Sequence, residues 1–209
     1  MSDKPTIECR PDGPYLVKGL EDLRNSRAER IPNQDNIALC RCGGSANKPF
    51  CDGTHRKNGF SGAKTGGGPA DQRDSYRGRK ITIHDNRSIC AHAGYCTDQL
   101  AKVFKYGEEP WIDPDGADAE AIVAAIRKCP SGALSYSVEA KEAASAPRKA
   151  SITVSKDGPY QVVGARLDGQ AWGEGASQEH YTLCRCGASK NKPFCDGSHW
   201  DAGFKDDKN

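Results

Sequence analysis

The chain has 209 residues, with 30 Lys and Arg against 28 Asp and Glu, and 36% of it lies in the hydrophobic set. A formal charge of +2 excludes a protein that grips nucleic acid through a broad basic excess. A mean hydropathy of −0.75, with no run near the ~18 apolar residues a span needs, excludes a transmembrane helix. The outlier is cysteine, with ten residues. The first twenty residues have neither the apolar stretch of a secretory signal nor the Arg-rich look of a transit peptide, which predicts a cytoplasmic chain. In a reducing compartment those cysteines point to metal rather than disulfides. The spacing agrees: Cys40 and Cys42 are one residue apart, as are Cys184 and Cys186, and such neighbours rarely bridge each other.

In chain order, Cys9 falls in a first short strand, as a small apolar core residue and not a ligand. Tyr15 to Val17 reads as a second strand, and a polar excursion then leads to Cys40–Phe60. Ser61 to Lys80 is Gly-rich, polar and without periodicity, which predicts a flexible linker. Ile81-Thr82-Ile83 begins a strand. Ala117 to Lys128 carries Ile122, Val123 and Ile126 on one helical face and is stopped by Pro130, so the helix delivers Cys129 at its C-terminal edge. Leu134, Tyr136 and Val138 alternate as a closing strand, and Glu139 to Ala150 reads as a second linker. Then the chain repeats itself: Asp12-Gly13-Pro14-Tyr15 recurs as Asp157-Gly158-Pro159-Tyr160, and Cys40–Phe60 recurs as Cys184–Phe204 with 15 of 21 positions identical. Val154 takes the place of Cys9, and Tyr160 to Val163 that of the second strand. The division is thus 1–62, a linker 63–80, an insert 81–138, a linker 139–150 and 151–209. Each repeat is too small for a self-sufficient core and needs a metal or a partner copy to stay folded.

Both repeats spell C-x-C-x8-C-x3-H: Cys40, Cys42, Cys51, His55 and Cys184, Cys186, Cys195, His199. Residues two apart on an extended segment point the same way, and residues four apart stack on one helical turn, so each motif supplies two chelating pairs. Asp52 and Asp196 suit a helix N-cap there. Zinc accepts a Cys3His set as well, although its pairs are more often spaced C-x2-4-C. The motif resembles the CDGSH iron–sulfur (mitoNEET-like) family, including Ser45, Pro49, Asp52, Gly53 and Thr54 and their counterparts Ser189, Pro193, Asp196, Gly197 and Ser198. The resemblance implies a 2Fe–2S cluster on each motif, with Cys40 and Cys42 on one iron and Cys51 and His55 on the other. The same follows for Cys184, Cys186, Cys195 and His199. It also implies two β-rich domains that pair as a pseudo-dimer within one monomer. Replacing a thiolate by a neutral imidazole removes one negative charge, which raises the potential and makes the centre acid-sensitive. Lys48 and Lys192, three residues before the third cysteine, are either stabilisers of the reduced centre or plain surface lysines.

The insert has three cysteines, Cys90, Cys96 and Cys129, with Cys129-Pro130 closing the set. It resembles single-cluster ferredoxins and the divergent mono-cluster ferredoxin domain, with Phe104, a Pro110-Trp111-Ile112 strand and a short helix after Cys96 fitting that pattern. Three thiolates imply a 3Fe–4S cluster. A 4Fe–4S cluster is the alternative, with His92 as an extra ligand and Asp85 or Asp98 as weaker ones. The fold class is therefore α+β: small metal-stapled domains with a ferredoxin-like insert on its linkers. His84 and His180 receive no role, and Trp111, Trp172 and Trp200 are assigned to packing or rims. No nucleophile–base arrangement remains once these ligands are assigned, so the chain reads as non-enzymatic. Its expected function is electron transfer with an unidentified redox donor and acceptor. The alternative is a carrier or sensor that releases 2Fe–2S clusters to apo-proteins.

Overall fold

A computed structural model of the chain describes residues 4–143 and 148–209. The predicted second linker lies partly outside them, at 144–147. The first repeat contributes β1 (Thr6–Cys9), β2 (Tyr15–Lys18), β3 (Leu23–Arg24) and β4 (Asn36–Leu39). The second contributes β9 (Ser151–Val154), β10 (Tyr160–Val163), β11 (Arg166–Asp168) and β12 (His180–Leu183). The repeated Asp-Gly-Pro-Tyr makes the first hairpin of each copy. Asp12 and Asp157 sit at φ 44° and 47°, a left-handed conformation that aspartate tolerates better than most side chains. The turn closes with the Arg10 amide donating to the Pro14 carbonyl at 3.1 Å, matched by Ser155 to Pro159 at 3.0 Å. Beyond the turn, period-two alternation buries Tyr15 and Val17, and likewise Tyr160 and Val162.

Neither copy completes its own sheet. One sheet runs β11-β1-β2-β4 and the other β12-β10-β9-β3. β11 pairs in parallel with β1, Leu167 opposite Ile7, and β3 pairs in parallel with β9, Leu23 opposite Ile152. Each copy thus lends the other one edge strand. The two sheets share a core of Ile7, Tyr15, Val17 and Leu39 with Ile152, Val154, Tyr160 and Leu183. Cys9 packs at its border, the place expected of a small apolar residue, and burial pushes its thiol up to about 11.

The insert holds β5 (Asp74–Arg77), β6 (Thr82–Asp85), α1 (Tyr95–Gln99), α2 (Ala119–Ile126), β7 (Leu134–Val138) and β8 (Lys141–Glu142), with sheet order β5-β6-β7-β8. Its own core is Ile81, Ile83, Val103, Phe104, Ile112, Ile122 and Ile126. Several expectations are corrected. The Gly-rich linker ends earlier than Lys80, because Asp74–Arg77 pairs antiparallel with β6 as an edge strand, where no apolar alternation is needed. The same holds for β8, within the predicted second linker. Pro110–Ile112 is not a strand and makes a single bridge, Ile112 to Phe104. Nor does the insert sit free on its tethers. Ile89 and Ala133 belong to the core of the repeats, Asn191 Nδ2 donates to the Ser88 carbonyl at 2.6 Å, and Asn86 Nδ2 to the Glu174 carbonyl at 2.9 Å.

Candidate metal centres

Each motif leaves the last strand of its copy, β4 or β12, and folds into a loop tied back by its own backbone. The Cys40 amide donates to the Pro49 carbonyl and the Cys184 amide to Pro193, both at 2.8 Å. Asp52 accepts from the amides of Ala46 at 2.8 Å and Thr54 at 3.0 Å, which holds its carboxyl well below the usual range. Asp196 does the same with Lys190 and Ser198. The expected helix is a single 3-10 turn at Thr54–Arg56 in the first copy and only turns in the second. The aspartates therefore clamp two loop segments instead of capping a helix. Lys48 and Lys192 fold inward, donating to the Ser45 and Ser189 carbonyls at 2.8 and 2.7 Å, which pins a positive charge in each loop.

The predicted pairs come together. Cys40 Sγ and Cys42 Sγ stand 3.8 Å apart, and so do Cys184 and Cys186. Cys51 Sγ lies 3.4 Å from His55 Nδ1, and Cys195 Sγ 3.5 Å from His199 Nδ1. Two sulfurs each about 2.3 Å from one tetrahedral ion stand roughly 3.8 Å apart, and a sulfur and an imidazole nitrogen roughly 3.6 Å. Each pair is thus preset for one metal. Among the described residues, no three His, Cys, Asp or Glu side chains converge on a single point fit for one ion. Burial pushes the Cys40 thiol up to about 11 and raises Cys195 as well. Such thiols ionise only when a cation meets them, which is what a metal supplies. Burial, followed by the neighbouring His92, lowers His199 below the ordinary imidazole value and keeps it in the neutral form a metal needs.

Three features escaped the sequence. The residue inside each C-x-C is a buried arginine. Arg185 pairs with Asp206 and donates to the carbonyls of Gly158 and Ser155, both at 2.8 Å, whereas among the described residues Arg41 hydrogen-bonds only carbonyls, Gly62 at 3.0 Å and Arg10 at 3.4 Å. The repeated tyrosines cross between copies. Tyr15 Oη donates to the carbonyls of Cys184 (2.8 Å) and Pro193 (3.1 Å), and Tyr160 Oη to those of Cys40 (2.8 Å) and Pro49 (3.0 Å). The loops also touch each other. A Cβ on Gly43 would stand 2.5 Å from the Cys186 carbonyl oxygen, and one on Gly187 2.8 Å from that of Cys42. Both glycines have left-handed φ, 75° and 82°. The doubled tyrosine and glycine were visible as repeats, but their reach across copies is set by the strand exchange.

In the insert, Cys90, Cys96 and Cys129 line a cavity of about 660 Å3. Cys96 lies in the first turn of α1 and Cys129 three residues beyond the end of α2, and burial pushes the Cys90 thiol up to about 11. Of the proposed extra ligands, His92 also borders the cavity but presses its ring on the second copy, where a Cβ on Gly197 would stand 2.8 Å from it. Its carbonyl accepts from Trp200 Nε1 at 3.3 Å, which gives that tryptophan an interface role. Asp85 borders the same cavity at 1% exposure, with both carboxylate oxygens lacking a hydrogen bond and Arg87 Nε at 3.3 Å. Asp98 does not line it. His180 stands where insert and second copy meet, its Nδ1 3.0 Å from Ser177 Oγ.

The family model described as "Iron-binding zinc finger CDGSH type" matches residues 12–56 and again 157–200. The chain belongs to the CDGSH family. Between its two CDGSH domains, the model described as "Divergent 4Fe-4S mono-cluster" matches residues 76–139. A relative, the "Uncharacterized protein YjdI" of Escherichia coli K12, is 44% identical over 61 residues, which is 29% of this chain and 80% of that protein. The protein of the same description from strain O157:H7 matches equally. No solved structure matches significantly. This CDGSH chain is therefore an iron–sulfur protein, and no helix among the described residues is long and apolar enough to cross a membrane.

Proposed function

We propose that the chain is a non-enzymatic electron-transfer protein with three iron–sulfur centres arranged as a relay. Cys40, Cys42, Cys51 and His55 hold one 2Fe–2S cluster, Cys184, Cys186, Cys195 and His199 a second, and Cys90, Cys96 and Cys129 a 3Fe–4S cluster. The paired spacing of the CDGSH ligands supports a two-metal centre over mononuclear zinc, which needs four donors around one point. Three cysteines lining one cavity support a single cluster in the insert, one thiolate to an iron. When bound, each cluster accepts and releases one electron.

The observation that carries this reading is contiguity. The Cys90–His92 loop rests on Gly197 beside His199, and the second copy's Cys186 meets the first copy's Gly43 next to Cys42. Three ligand sets thus follow one another through direct contacts, an order that cluster storage would not require. The two copies, exchanging edge strands, stand for the halves of a dimer in one monomer, with the insert between them running from β5 to β8.

Iron and acid-labile sulfide per chain, with low-temperature EPR of anaerobically purified protein, test this. About seven iron with a ferric signal in the oxidised state is expected. About eight iron and a silent oxidised state replace the 3Fe–4S assignment by 4Fe–4S, as the mono-cluster description has it. Zinc in colourless protein sinks the redox reading. The carrier reading has one observation in its favour, the partial exposure of Cys51 and His55. Incubation with an apo-ferredoxin decides it: stoichiometric transfer of the first cluster supports the carrier, retention with reversible reduction the relay.

A further inference from the structure

The two copies carry the same concave face beside their histidine, but only one of them is in use. Over His55, the turn at Arg10–Pro14 and the end of the motif wall a cleft of about 640 Å3. Over His199 the counterpart measures about 360 Å3. Its Ser155, Gly158, Pro159 and Trp200 occupy the repeat positions of Arg10, Gly13, Pro14 and Arg56. The insert closes this second cleft: Ala91, Ala93, Tyr95 and Pro130 complete its wall. A Cβ on Gly197 would meet the His92 ring at 2.8 Å, whereas one on Gly53, its equivalent, would meet nothing within 4 Å.

Shape repeats while charge differs. Arg10, Arg56 and Lys57, all exposed, stand where the second copy has Ser155, Trp200 and Asp201. The occupant of the second face is itself acidic, with eight Asp and Glu against five Lys and Arg over 81–138. We propose that the first face is an outward docking site for a small acidic electron carrier of the single-cluster ferredoxin type, seated there as the insert is seated on the second copy. The inference rests on the electron-transfer reading for what crosses the contact, not for the contact itself. One electron leaves the reduced carrier, which is oxidised, and arrives at the first-copy centre, which is reduced; no bond or proton moves.

The test uses the full, cluster-loaded chain and an acidic plant-type 2Fe–2S ferredoxin as probe. Titration is followed by calorimetry and by amide NMR at low and high salt. Binding is expected to weaken steeply with salt, to perturb residues around the Arg10 turn and His55, and to fall about tenfold or more in R10E/R56E. The charge-matched K156E/K190E, on the second copy, should bind as the parent does, with iron content measured for every variant. Salt-independent binding, no binding, equal loss in K156E/K190E, or perturbation elsewhere overturns the proposal. So does a self-dimer in sedimentation that R10E/R56E abolishes. If the variant loses iron, the salt dependence and NMR map of the parent decide alone. Stopped-flow reduction separates the two readings. A probe that docks at this face but passes no electron overturns the relay and leaves the docking site. A probe that reduces R10E/R56E as fast as the parent overturns the docking site and leaves the relay.

Discussion

Tyr15 and Tyr160 meet edge to face at 6.0 Å and each holds two carbonyls in the other copy's loop. Both are fully buried, and the Pro193 and Pro49 carbonyls keep the amides of Cys184 and Cys40, so removing a hydroxyl takes the donor from one carbonyl, that of Cys184 or Cys40, a cost of about 1–3 kcal/mol. The effect should appear in the wrong copy. Tyr160→Phe is expected to loosen the first cluster and Tyr15→Phe the second, read as faster loss of the corresponding EPR signal under chelator. If each variant weakens its own copy's cluster, the brace is not what holds these loops. The buried arginines predict an order of potentials. Among the described residues Arg41 has no carboxylate partner and a buried, unpartnered Nε, whereas Arg185 is neutralised by Asp206. Uncompensated positive charge favours the reduced, more negative state, so the first copy should reduce at the higher potential. Asp206→Asn should then raise the second copy's potential by on the order of 50 mV in an EPR-monitored redox titration. An unchanged value would remove Arg185 and Asp206 from the account.

The strands and the motif loops were legible because alternation and metal-ligand spacing are local. Tyr160–Val163 and the core of α2 stand where the sequence placed them, and all four CDGSH pairs formed. What stayed hidden is non-local. The parallel partners β11 and β3 are two or three residues long and carry no period of their own, and β5 is a polar edge. Asp85 shows the same limit: the sequence offered it only as a weaker ligand of the insert, and at the end of β6 it is buried with no hydrogen bond among the described residues. Burial raises its carboxyl from 3.8 to about 6 despite Arg87. The folded chain therefore holds the proton more tightly than the unfolded one. Below 3.8 both states are protonated and nothing is lost; stability falls as pH rises from 3.8 to about 6, and above that the full penalty applies, about 3 kcal/mol. Asp85→Asn should raise the melting temperature at pH 7.5, with the gain fading as pH drops below 6. Its iron content should match the parent, as three thiolates suffice for the insert. Loss of iron would make Asp85 a ligand instead.

Two nearly identical motifs end in different surroundings because the chain has one insert and two faces. Cys195 and His199 are 2% and 5% exposed, under the His92 loop, while Cys51 and His55 remain half-open. Cluster loss begins with solvent or a competing ligand reaching the metal-bearing end of the loop, and that approach is blocked on one side only. Iron release to a chelator should therefore be biphasic, with the first copy in the fast phase and the second in the slow one. His92→Ala removes the ring that covers Gly197 without touching a CDGSH cysteine or histidine. It is expected to speed the slow phase roughly tenfold, equivalent to about 1.4 kcal/mol of lost protection, and to leave the fast phase alone. EPR of the partly stripped protein identifies which signal goes first. If both copies lose iron together in the parent chain, the insert does not shield the second centre. If His92→Ala instead strips the insert while sparing the second copy, the histidine belongs to the insert's own cluster, as one reading of the sequence had it.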